Sequence, residues 1–184
     1  GLAYPALRGA NQLLNASAVM AALEAIRDRL PVPMQAIREG MMLVELPGRF
    51  QTLPGQPAVV LDVAHNPQAV GVLAENLANM GYYPETWAVI GMMADKAVET
   101  SLMRIKSRVD HWLPATLPGP RGLSADALAG RMAAAGIAVG DDRYATPADA
   151  YRAARAAAQD GDRIVVFGSF LTVADALAAI RAER

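Results

Sequence analysis

The sequence contains no cysteine and only two histidines, His65 and His111. That excludes a disulfide framework, a thiolate metal site and a multi-histidine metal cluster. Neither sign of charge dominates: 17 Lys+Arg stand against 18 Asp+Glu, a formal net charge of −1. No overall field for nucleic acid or an anionic membrane follows from that balance. No apolar run is long enough to span a bilayer. The opening GLAYPALRG has neither the charged n-region nor the apolar h-region of a signal peptide. Motifs are missing too. There is no G-x-x-x-x-G-K-[ST] phosphate loop, no G-x-G-x-x-G after the first long apolar run, and no G-x-S-x-G. A domain of this kind has no phosphate cradle of its own for a nucleoside triphosphate. The expectation is a soluble, cytoplasmic chain with no metal site, no nucleic-acid partner and no membrane partner. Gly1 in place of an initiator Met is expected of a processed product or of a piece cut from something longer.

What remains is ample for a core. Apolar residues make up 53% of the 184 residues and charged residues 19%, a composition that folds rather than stays disordered. In NASAVMAALEAIRDRL, Val19, Leu23, Ile26 and Leu30 share a helical face, with Asn15 at the expected N-cap. Pro31 and Pro33 end that helix, and a second is expected over roughly 34–45, before Pro47-Gly48. From there the pattern changes. Expected strands are RFQTL (49–53), AVVLDV (58–63), TWAVIG (86–91), VDHWL (109–113), a weak GIAVG (136–140) and RIVVF (163–167). Helices fall between them, with Asn66-Pro67, Asp95, Ser124 and Thr146-Pro147 as expected starts. Alternating strands and helices predict an α/β, Rossmann-like, mostly parallel sheet of five to six strands with helices on both faces, preceded by a helical pair. The expected division is 1–46 and 47–184.

Ligands of open α/β sheets bind outside the carboxyl ends of the strands. After AVVL come Asp62, His65 and Asn66; after TWAVI come Asp95 and Lys96; after VDHWL comes Arg121; after RIVVF come Gly168, Ser169 and Phe170. Each has a plain alternative. Asp62 and Ser169 also serve as caps, His65 as a histidine bonded to backbone, and Lys96 as a solvated charge. His111, inside a strand, is assigned no role.

LLNASAVMAAL, PGRFQ, LDVAHNP, GMMADK, GPRG and GSFLTVA, in this order and at this spacing, resemble the folylpolyglutamate synthase family. The likeness is greatest to its bacterial bifunctional dihydrofolate synthase/folylpolyglutamate synthase members, within the Mur ligase superfamily. It runs from Asn15 onward and matches only the C-terminal portion of such an enzyme. The resemblance implies that 1–46 is the tail of a central ATPase domain and 47–184 a Mur-ligase-type C-terminal domain. The implied reaction is ATP-dependent amide formation: a carboxylate of dihydropteroate or a reduced folate becomes an acyl phosphate, which the amine of L-glutamate attacks. ATP and Mg2+ are implied, the metal ligands lying in an N-terminal ATPase domain that acts in cis. By residue, Asn15, Arg49 and Asp62 match ATP-binding positions, at adenine, phosphates and ribose respectively. His65 and Ser169 match glutamate-binding positions, and Lys96 and Arg121 are possible active-site charges. The fragment alone is expected to be inactive. Two alternatives stay open. One is a stand-alone Rossmann-like binding module for a nucleotide or acidic metabolite. The other is a different Mur-type amino-acid ligase.

Overall fold

The computed structural model describes residues 4–7 and 9–183. The chain divides into two compact units between Gln51 and Thr52.

The first unit carries two helices, α1 (Ala10–Ala25) and α2 (Met34–Leu43). The helical pair is therefore present, but its start differs from expectation. Asn15 is not an N-cap. The helix already runs through it, Gly9 holds the cap position without a side-chain bond, and Asn15 Nδ2 donates to Gln12 Oε1 at 3.0 Å. Ala10, Gln12 and the leucines that follow are good helix formers and extend the helix upstream. Its other end also differs: α1 stops at Ala25, so Ile26 and Leu30 lie beyond it.

The second unit is built on a five-stranded sheet in the order β1-β2-β5-β3-β4. The strands are β1 (Gln51–Leu53), β2 (Ala58–Asp62), β3 (Thr86–Ile90), β4 (His111–Pro114) and β5 (Arg163–Phe167). β2, β5, β3 and β4 run parallel. Only residues 54–57 join β1 to its neighbour β2, a connection short enough for an antiparallel pair alone. α3 (Pro67–Ala78), α4 (Val98–Ile105), α5 (Ala125–Ala134), α6 (Pro147–Ala157) and α7 (Phe170–Ala182) cover the sheet. β5 is buried at every position, as a central strand covered on both faces must be.

Alternation along the strands sorts the core into two layers. Val59, Leu61, Val89, Ile164 and Val166 pack with Ala150, Tyr151 and Ala154 of α6 and Val173, Ala176 and Ile180 of α7. Val60, Ala88, Ile90, Val165 and Phe167 are fully buried on the opposite face. The buried stripes of α3, α4 and α5, centred on Leu73, Leu102 and Leu128, fill that side.

Caps explain most helix starts. Asn66 Oδ1 accepts from Ala69 N at 2.9 Å, with Pro67 at the first helical position. Ser124 Oγ accepts from Ala127 N and Thr146 Oγ1 from Asp149 N. Asp149 departs from a capping box, because its carboxylate accepts a hydrogen bond from the Thr146 hydroxyl. Two further expectations fail. Asp95 caps nothing: α4 starts three residues on, behind Ala97, with no side-chain bond. Residues 136–140 form no strand. Gly136, at φ 69°, closes α5 instead: its N–H donates to Ala133 O and that of Ile137 to Met132 O. Those two bonds are a Schellman closure, and they commit the amides a sheet ladder would need.

Candidate functional site

The strand order decides where a ligand can enter. β2 and β3 leave toward α3 and α4 on one face, while β5, between them, leaves toward α7 on the other. Adjacent strands whose exits part in this way open a crevice at their carboxyl ends. Asp62 and Ile90 both stand in register with Phe167, so the loops after β2, β5 and β3 begin at one level.

The β2 loop is held by its own polar groups. Asp62 Oδ1 accepts from Ala64 N at 2.8 Å. His65 Nδ1 lies 2.8 Å from Val63 O. A carbonyl only accepts, so Nδ1 carries the proton and Nε2 of the neutral ring is left as an acceptor. The His65 ring meets Phe170, centroids 6.4 Å apart and tilted by 51°. This pair joins the β2 and β5 loops across the crevice. The sequence places Phe170 on this rim, beside Ser169 at the start of α7, but gives it no role; the ring contact with His65 is what the structure adds.

Ser169 is buried and its Oγ accepts from Leu171 N at 3.2 Å. The plain reading of Ser169 as a cap is thus present in the structure, and its hydroxyl proton remains a donor. Gly168 precedes it at φ 110°. A Cβ there would stand 2.5 Å from Gly91 O, so only glycine lets the β5 and β3 ends come this close. Thr172 Oγ1 donates to the same carbonyl at 2.7 Å.

The loops after β3 and β4 are tied together. Ala94 N donates to Arg121 O at 2.7 Å and Leu123 N to Met92 O at 3.1 Å. Lys96 Nζ pairs with Asp95 at 3.1 Å. That hydrogen bond holds the Asp95 carboxyl below the usual carboxylate range, and the Arg121 charge adds to the effect. Lys96, Asp95 and Arg121 therefore form one charged cluster. Asn15 and Arg49 belong to the first unit. Asn15 is on the wall of a cavity of about 410 Å³, lined mainly by apolar groups such as Val19, Leu23, Ile37 and Met41. Arg49 is exposed. Among the described residues, no cluster of three or more His, Asp or Glu can hold a metal ion, and no helix is long and apolar enough to cross a membrane.

Residues 48–170 match the family described as Mur ligase, glutamate ligase domain. The chain belongs to this family. The dihydrofolate synthase/folylpolyglutamate synthase of Escherichia coli (strain K12) is 39% identical over 170 residues, 92% of this chain and 38% of that protein. The structure of E. coli FolC in complex with DHPP and ADP superposes with a TM-score of 0.85 at 38% identity, covering 100% of this chain and 41% of that one. A bifunctional folylpolyglutamate synthase/dihydrofolate synthase with Mn, AMPPNP and L-glutamate bound gives 0.82 at 38% identity, over 98% of this chain and 41% of that one. This Mur ligase domain chain thus spans about two fifths of the length of the relatives it matches.

Proposed function

We propose that this chain is the C-terminal portion of an ATP-dependent ligase that adds L-glutamate to dihydropteroate or reduced folates through an acyl phosphate. Residues 1–46 form the tail of the central ATPase domain and 47–184 the C-terminal domain. The remainder of the ATPase domain acts in cis, and the enzyme works in the cytoplasm on soluble substrates. The observation that carries this reading is the crevice flanked by β2 and β5. Its rim bears single polar groups and no phosphate cradle, as a half-site closing over ATP held elsewhere requires. The described residues do not fit a magnesium site.

The division of labour follows from chemistry. Asp62 accepts the ribose hydroxyls, as a carboxylate at the end of β2 with several lone pairs can. Asn15 reads adenine from the apolar cavity wall, a lining suited to a flat heterocycle. Arg49 meets the phosphates, where its fork matches charge that grows in the transition state. His65 and Ser169 hold the incoming glutamate. With Nδ1–H on Val63 O, the His65 ring turns Nε2 toward an amine about to attack, and the Ser169 hydroxyl donates to a carboxylate. Lys96 and Arg121 supply positive charge near carboxylates or phosphate.

Steady-state kinetics on the full-length ligase tests this. His65→Ala and Ser169→Ala should raise the KM for glutamate roughly tenfold and leave that for ATP nearly unchanged, the scale of one lost hydrogen bond. Asp62→Ala should do the reverse. Parallel shifts in both constants, or loss of stability alone, would remove His65 and Ser169 from the glutamate site.

A further inference from the structure

We infer that Arg131, fixed by Glu99, is a positioning residue for the two loops that carry Lys96 and Arg121. The inference rests on the placement of those two charges in the active site. Arg131 lies on α5 and Glu99 in the first turn of α4. Arg131 Nε donates to Oε1 at 2.5 Å and Nη2 to Oε2 at 2.6 Å, a bidentate fork. The remaining nitrogen, Nη1, donates to Ala94 O at 3.4 Å. The other side of Ala94 is also held, its N–H donating to Arg121 O at 2.7 Å. A bridge between Met93 and Gly122 runs alongside.

Ala94 is thus the point where both loops are fastened, and it is an exposed residue outside any helix or strand. Two residues further on is Lys96, whose N–H donates to Met93 O at 3.2 Å. A long, half-buried side chain such as Lys96 keeps its place only if the backbone beneath it does. The carboxylate of Glu99 is held down to about 2 by Arg131, so the fork stays charged at any pH where the enzyme works. The alternative is an ordinary surface ion pair between α4 and α5, and such pairs contribute little. What sets this one apart is the third nitrogen. A pair that only joined two helices would have no need of a guanidinium that also reaches the loop carbonyl.

Three variants of the full-length ligase separate these roles: Arg131→Met, Arg131→Lys and Lys96→Met. The readouts are amide hydrogen exchange across 93–97, melting temperature, and kcat/KM. In Arg131→Met, exchange across 93–97 should speed up about tenfold, the amides of Leu102 and Ile105 should keep their protection, and kcat/KM should fall about tenfold. Arg131→Lys retains the charge pair but lacks the second terminal nitrogen. It should recover most of the melting temperature and leave the loop exchanging fast. The proposal is overturned if exchange across 93–97 is unchanged in Arg131→Met, or if loop protection returns with the melting temperature in Arg131→Lys. Lys96→Met tests the underlying placement separately. Normal kinetics there, with fast loop exchange in Arg131→Met, would remove Lys96 from the active site and uphold the brace.

Discussion

Replacing Gly168 by alanine tests the closest approach in the site. Gly168 connects β5 to the Ser169 cap at φ 110°, and an added Cβ would stand 2.5 Å from Gly91 O and 3.0 Å from Met92 Cγ. The first of these obstacles is backbone at the end of a buried strand and cannot swing aside. Gly91 O is also held by the Thr172 hydroxyl at 2.7 Å. Two costs add. A backbone with positive φ costs an L-residue about 1–2 kcal/mol, and forcing a methyl against fixed atoms about 1–3 kcal/mol. The expected loss is therefore about 2–5 kcal/mol. Gly136 provides the control. It has φ 69° and nothing within 4 Å of a built Cβ, so Gly136→Ala carries only the conformational cost, about 1–2 kcal/mol. Urea unfolding of both variants beside the parent, with the slope checked for constancy, gives the difference directly. Equal losses at 168 and 136 would refute the clash, and a loss below about 1 kcal/mol at 168 would refute the whole account. Relief of the clash also moves Ser169, so under the role proposed for Ser169 the full-length ligase should bind glutamate less well.

Two further outcomes follow from ionic groups. Glu99 has its carboxyl pKa lowered to about 2 by Arg131, so it stabilises the fold above its unfolded value and loses that contribution as pH falls toward 2. The side chain is 39% exposed, and solvent screening reduces the contribution to about 1 kcal/mol. Glu99→Gln should cost that much above pH 5 and almost nothing near pH 2 in thermal melts; a cost independent of pH would contradict the linkage. Arg163 is buried, and among the described residues no carboxylate forms an ion pair with it. It donates to Leu77 O at 2.7 Å and Thr86 Oγ1 at 2.9 Å and lies over the Tyr83 ring. Arg163→Met should lose about 1–3 kcal/mol by removing the buried, charge-assisted bonds to Leu77 O and Thr86 Oγ1, and a melting curve like the parent's would rule that out.

The legible parts of the fold were local. Asn66-Pro67, Ser124 and Thr146-Pro147 could be read as helix starts because a cap is a bond between residues two or three apart. AVVLD, TWAVI and RIVVF could be read as strands because burial on both faces leaves a continuous apolar run. GIAVG misled because apolar residues follow a helix-closing glycine as readily as they fill a strand; only the amide bonds of Gly136 and Ile137 tell the two apart. Asn15 and Asp95 misled because both residue types favour caps, yet each has a side-chain partner elsewhere, in Gln12 and Lys96. The positions after each strand were readable as a rim. The insertion of β5 between β2 and β3 was not, because no local pattern encodes strand order. For the same reason the Glu99–Arg131 fork and the meeting of His65 with Phe170 were out of reach, joining residues far apart in the chain.

That insertion sets the order in which the molecule can be made. β2 and β3 are not neighbours; β5 fills the space between them, a gap of about 10 Å at ordinary strand spacing. A ribosome must therefore release residues 58–62 and 86–90 and hold them without their shared partner until 163–167 emerge. Until then two apolar strands have open edges, which are the templates for wrong pairing. His65 and Ser169 also remain apart until that moment. The crevice is consequently absent from every shorter nascent chain, and a protein interrupted before Arg163 offers chaperones and proteases an open sheet with no half-formed crevice.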